Sequence, residues 1–131
     1  IVIFIDTGLF LARYMENDQF HKKSISIWKK LGKNACTTSN HVIDETLTLL
    51  ARRANYNFSS DRAKEIYNSN QLKIERSTEE DELNALNYFE KYADQKVSFT
   101  DCLSFAIMKR LKIKKVASFD KHFELAGFSK F

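Results

Sequence analysis

The segment that most limits the possible fold is the first one, "IVIFID", five apolar residues closed by Asp6. No polar residue alternates with the apolar ones, so a strand here must bury both of its faces. Strands of that kind lie inside parallel sheets with helices on either side. Three more β segments come later in the chain: "ACTTS" at 35–39, "LKIERS" at 72–77 and "KKVASF" at 114–119. The closing "FSKF" adds at most a short edge strand.

Between these segments the apolar period changes to that of a helix. "TGLFLARYM" predicts a first helix. "QFHKKSISIWKKLG" predicts a clearer second, with Phe20, Ile25, Trp28 and Leu31 near helical spacing and Gly32 as its stop. "NHVIDETLTLLARRAN" places Ile43, Leu47, Leu50 and Ala54 on one stripe. "SSDRAKEIYNSN" is a further helix, and Ser77 with Glu80 reads as a capping box opening "TEEDELNALNYFEKYADQ". From Asp101 to about Leu111 the chain is apolar almost all round, which predicts a buried helix. "DKHFELAG" gives a last short one, with Gly127 behind it. Strands alternating with helices imply a parallel sheet with right-handed crossovers. The 131 residues are expected to form one domain, 1–131.

Composition excludes several classes. Charges of both signs are mixed, with a net charge of +4, so the chain is not disordered; a basic balance this small tolerates a polyanionic partner without requiring one. No apolar run reaches the roughly 20 residues of a membrane span, so no membrane association is expected. Cys36 and Cys102 fit no metal or disulfide spacing and read as small core residues in a reducing, cytoplasmic setting. There is no proline and there are only three glycines, and "DTGLF" has neither phosphate-loop pattern.

The acids then carry the chemistry. Asp6 closes the first strand and Asp120 the fourth. In open α/β sheets the working crevice lies beyond the carboxyl ends of the strands, where the strand order reverses. Asp101 opens the helix leading into the fourth strand, and Glu45 lies early in the helix after the second. Carboxylates gathered at one point stay ionised together only around a cation. Oxygen ligands select Mg²⁺ or Mn²⁺, ions that suit phosphodiester hydrolysis. Each acid also has a structural reading. Ser98 with Asp101 fits a capping box, Asp120 fits an N-cap, and Asp6 fits a turn. Periodicity makes Glu45 a solvated side chain, with Asp44 an equal candidate. His21, His41 and His122 lack metal spacing and read as surface or capping residues.

In order and spacing, "IFIDTGLF", "TTSNHVIDETLTLLARR", "SFTDCLSFAIMKRL" and "VASFDKHFELAGF" resemble the PIN domains, above all the small bacterial and archaeal type that includes VapC toxins. The resemblance spans nearly the whole chain and implies a three-layer α/β/α fold. Its parallel sheet would have four to five strands in the order 3-2-1-4-5, with the fifth short or missing here. It implies Mg²⁺- or Mn²⁺-dependent endoribonuclease activity, with Asp6, Glu45, Asp101 and Asp120 as both catalytic and metal-binding residues. The resemblance, not the helical wheel, chooses Glu45 over Asp44, and it matches Thr7 to the small hydroxyl residue after the first acid. It further implies an RNA substrate, a homodimer and, in toxin systems, an antitoxin whose tail enters the site. Lys29, Lys30, Lys33, Arg52, Arg53, Lys109 and Arg110 are candidates for contacting the RNA backbone. Two other classes stand against this reading. A non-catalytic PIN-like module would bind RNA or protein without cutting. A receiver domain also gathers acids at strand ends, but it wants paired acids after the first strand, and Asp6 stands alone.

Overall fold

The first strand, β1 (Val2–Ile5), occupies the centre of the sheet in the computed structural model, which describes residues 1–131. Ile3, Phe4 and Ile5 are each 0% exposed. Successive side chains of a strand point to opposite faces, so both faces of the sheet are covered at β1. This strand pairs in parallel with β2 (Ala35–Ser39) on one side and β4 (Lys115–Ala117) on the other. Beyond β2 lies β3 (Leu72–Glu75), and beyond β4 the two-residue β5 (Ser129–Lys130). Every pairing is parallel and the order is β3-β2-β1-β4-β5, the order that the resemblance implies.

Seven helices connect the strands: α1 (Thr7–Tyr14), α2 (His21–Leu31), α3 (Asn40–Arg53), α4 (Tyr56–Asn68), α5 (Glu79–Lys91), α6 (Phe99–Leu111) and α7 (His122–Leu125). Eight consecutive residues of α6, Asp101 to Met108, are buried. An all-round apolar helix is stable only inside a core, and α6 packs chiefly against α5. Phe105 sits at the middle of an aromatic cluster, edge-on to Phe123, Tyr88 and Tyr92. No helix is long and apolar enough to cross a membrane.

Several sequence expectations need correction. The α5 capping box is Thr78 with Asp81, one residue later than expected. Ser77 is used elsewhere, its hydroxyl 2.7 Å from His41 Nε2 and its N–H donating to Asn40 Oδ1. In α2 only Ser24 and Leu31 are buried; Ile25 is exposed, and Phe20 precedes the helix. Ala54 falls just past the end of α3 and is exposed, so it is not part of the α3 stripe. The fourth helix begins at Tyr56, because the Asn55 side chain caps it by accepting from the Phe58 N–H at 2.8 Å.

Candidate active site

The sheet order makes β1 and β4 neighbours across the reversal, and the residues just beyond the two strands meet there. Asp6 immediately succeeds β1, and its N–H continues the ladder by donating to the Ala117 carbonyl at 3.2 Å. It is the residue before α1, yet its side chain does not cap that helix. Instead its Oδ2 accepts a 2.7 Å hydrogen bond from the Ser118 hydroxyl. The same hydroxyl accepts from the Asp120 N–H at 2.9 Å. Ser118 therefore ties the two strand-end acids together. Asp120 lies three residues beyond the last residue of β4, so it does not close the strand directly as expected.

Asp101 reaches the same place from α6. Ser98 caps this helix by accepting from the Asp101 N–H at 3.1 Å. The return half of a capping box is absent, since Asp101 does not bond back to the Ser98 N–H. Its carboxylate turns to the cavity instead. Glu45 lies on the half-buried side of α3, while Asp44 is exposed. The four acids Asp6, Glu45, Asp101 and Asp120 line one cavity of about 730 Å³, and Asp44 does not. Periodicity could not separate the two, because Glu45 sits away from the apolar stripe and is drawn inward by the site, not by the core.

Their electrostatics are those of acids without enough positive charge. Burial raises the Asp6 carboxyl to about 6, against the Ser118 hydrogen bond, with Asp120 and Glu45 pushing the same way. Burial also raises Asp101, to about 9, reinforced by the neighbouring carboxylates of Asp6, Asp120 and Glu45. No lysine or arginine pairs with any of the four. The nearest basic group is His122, whose Nδ1 is 3.1 Å from Asp120 Oδ1 and 3.8 Å from Asp101 Oδ2. Asp120 Oδ1 accepts from the His122 N–H at 2.9 Å, which fixes that histidine beside the cluster.

Sequence reasoning assigned His122 to surface or capping; the structure moves it into the site. Donor atoms of Asp101, Asp120 and His122 lie within 4.8 Å of one another, close enough to hold one ion. The one sequence signal was the spacing in "DKH", which puts an acid and an imidazole two residues apart at a strand end. One buried polar atom here, Thr7 Oγ1, on a threonine only 6% exposed, has no protein partner, and His122 Nδ1, though 3.1 Å from Asp120 Oδ1, is not aligned for a hydrogen bond. Unsatisfied buried polar atoms call for an explanation. Oxygen-rich donors, carboxylates without a lysine or arginine partner and the orphaned Thr7 hydroxyl together fit a hydrated divalent cation. Of the expected RNA-contacting cations, only Arg53 lines the cavity; Lys96 and Lys121 do so unexpectedly. Arg110 is committed elsewhere, to Asp81 and Glu75.

A parallel sheet in this order, with acids gathered beyond the strand ends, defines the class of α/β domains that the PIN fold typifies. The sequence pattern of the PIN domain family matches residues 3–129. The chain is 32% identical over 127 residues to the 23S rRNA-specific endonuclease VapC20 of Mycobacterium tuberculosis, covering 97% of this chain and 95% of that protein. It is 33% identical to a VapC ribonuclease of Archaeoglobus fulgidus, covering 92% and 78%. The crystal structure of VapC20, described as a sarcin–ricin loop cleaving toxin, superposes with a TM-score of 0.89 over 96% of this chain and 95% of that one. A Rickettsia felis VapBC2 structure, at 10% identity and a TM-score of 0.71, shares the fold. The chain belongs to the PIN-domain family, in its VapC-like branch, and is a nuclease.

Proposed function

We propose that the chain, as one PIN domain over 1–131, is a Mg²⁺- or Mn²⁺-dependent endoribonuclease and the toxin of a VapBC-type pair. The observation that carries this is the pair of buried carboxyls, Asp6 and Asp101, both raised and neither matched by a lysine or arginine. In this reading Asp6, Asp101 and Asp120 hold the metal, with Glu45 completing the set and His122 Nδ1 offering a nitrogen donor. A divalent ion bound there supplies an activated water and offsets charge on the phosphate. The chain's own groups do the rest. Ser118 fixes the Asp6 carboxylate by its hydrogen bond, and the buried Thr7 hydroxyl, with no protein partner, would be free to donate to a hydrated ion. Glu45 orients the attacking water. Arg53, Lys96 and Lys121 at the rim hold flanking phosphates and so position the strand.

Its similarity to VapC proteins supports an RNA substrate and an antitoxin partner, in a cytoplasmic setting. The apolar residues Leu83, Leu86 and Phe89, 56%, 44% and 45% exposed along α5, support a homodimer through that helix.

The test is cleavage of single-stranded RNA and of 23S rRNA in Mn²⁺ or Mg²⁺. Cutting is expected with metal and none in EDTA. Asp6→Asn should lower the rate at least about 100-fold while thermal unfolding stays intact, because a ligand charge is lost at nearly constant shape. Asp44→Asn should remain active. If the wild type binds RNA with metal but cuts none of these substrates, the non-catalytic binding module becomes the better reading.

A further inference from the structure

One feature of the cavity is unrelated to metal binding. Phe20 and Phe119 stack with ring centroids 4.6 Å apart and planes 11° from parallel. Both rings line the acid cavity, beside Asp6 and Asp120. Phe119 packs on the hydrophobic core, but Phe20 does not; it is half-buried and rests on Phe119 from outside. Its backbone is held at both ends. The Phe20 N–H donates to Asp18 Oδ1 at 2.8 Å, and its carbonyl accepts from the Ser24 N–H at 2.8 Å. Phe119 directly precedes Asp120, so the outer ring is held at a fixed distance from the acids.

Phe20 extends the apolar surface of Phe119 out to the rim of a charged cavity. Unstacked nucleobases are planar, carry a π face and are bound by proteins on such rings. The charges nearby suit a nucleic-acid strand. The Lys23 ammonium is 6.0 Å from the Phe20 ring centre, and Arg53 and Lys121 line the same cavity. At about 730 Å³ the cavity has the size of one that encloses a small organic ligand.

We propose that the Phe20–Phe119 stack is a nucleobase platform that receives one unstacked base of single-stranded RNA, next to the phosphate held at the acids. This rests on the nuclease reading for its substrate, but not for its measurement. Phe20 is a positioning residue here and takes no part in bond breaking. A base lost from the stack weakens binding without slowing chemistry once the strand is bound.

The probe is a fluorescein-labelled 12-residue unstructured RNA, followed by anisotropy in Mg²⁺ on the slow-cutting Asp6→Asn background, with its integrity checked on a gel. Phe20→Leu keeps apolar bulk and removes the ring. It should weaken binding about 5- to 150-fold, the range of one base stacked on an aromatic ring. Phe20→Tyr should restore binding to within about twofold. A set of RNAs with one abasic position moved along the strand supplies the partner half of a double-mutant cycle. At one position the abasic RNA should bind Asp6→Asn as weakly as the Phe20→Leu double variant does, with no further loss in combination. In wild-type enzyme, Phe20→Leu should raise KM and leave kcat within about twofold. Equal affinity for Leu and Phe, failure of Tyr to restore it, or additive losses at every abasic position would each overturn the platform. None of these outcomes touches the nuclease reading, which fails separately if the wild type cuts no RNA.

Discussion

Two helices of this protein open with the same four-residue pattern, a hydroxyl and then, three residues later, an aspartate, and the two aspartates have opposite fates. In α5 the pattern is Thr78 to Asp81; in α6 it is Ser98 to Asp101. Both hydroxyls accept from the aspartate N–H at 3.1 Å. Asp81 completes the box by accepting from the Thr78 N–H at 2.9 Å. It then takes a two-pronged grip from Arg110, with Nε 2.9 Å from Oδ1 and Nη2 2.8 Å from Oδ2. The remaining nitrogen, Nη1, reaches Glu75 Oε1 at 3.2 Å. Burial pushes the Asp81 carboxyl up, but Arg110 and Thr78 outweigh it and the net shift is down. Asp101, by contrast, has no return bond and no arginine, and it is raised. A buried acid with all its partners inside the protein holds the fold together. A buried acid left without them is available to a ligand.

The largest effect is expected from removing the cation on the satisfied side. Arg110→Met should destabilise the protein by about 3 kcal/mol in urea unfolding, because Asp81, 1% exposed, is left with its Thr78 bond but no cation. A loss below about 1 kcal/mol would place Arg110 among ordinary surface pairs.

Adding a cation to the unsatisfied side comes next. Asp6 and Asp101 have folded values of about 6 and about 9, above the ordinary 3.8. Their contribution to stability is thus fully present below pH 4 and is lost as pH rises through those folded values. In EDTA the Tm should fall as pH is raised from about 4 toward 9. Mn²⁺ at about 100 times its Kd should add about 2.7 kcal/mol and flatten that decline at neutral pH. The same fall with and without metal would mean that no ion joins the acids.

The finest comparison sets the two aspartates directly against each other. In EDTA at pH 7, Asp101→Asn should leave Tm unchanged or raise it slightly, since Ser98 still caps α6 and the amide is neutral without the proton that Asp101, raised to about 9, takes up on folding. Asp81→Asn should lower Tm. If both fall by the same amount, Asp101 is a cap like its counterpart.

Much of the fold was legible because burial leaves a mark on sequence. In "IVIFI" the last three residues form the doubly covered strand that the apolar run predicts, while Ile1 and Val2 are exposed, and the apolar run of α6 forms an interior helix. The site was legible in part. Asp6 and Asp120 were visible from their places after strands, whereas the pattern around Asp101 was identical to that of an ordinary cap. What tells Asp101 from Asp81 is the absence of an arginine, and arginine reaches Asp81 across 29 residues of chain. Such a distant partner leaves no local trace. Glu45 and His122 were hidden for a related reason: they face a polar cavity, and the periodicity of apolar residues reports only the core. The stripe expected in α2 failed where Phe20 left it to stack on Phe119.

The hydrogen bond from Ser118 to Asp6 joins residues 112 apart in sequence, and its consequence concerns time. A strand that waits for a partner so far along the chain pairs late, since closing a long loop must precede the contacts that reward it. A growing polypeptide that has emerged only as far as α6 carries Asp6, Glu45 and Asp101 but neither β4 nor Asp120. The acids are then an unfinished set on an unfinished sheet. The four acids come together only once β4 has been made and has paired with β1.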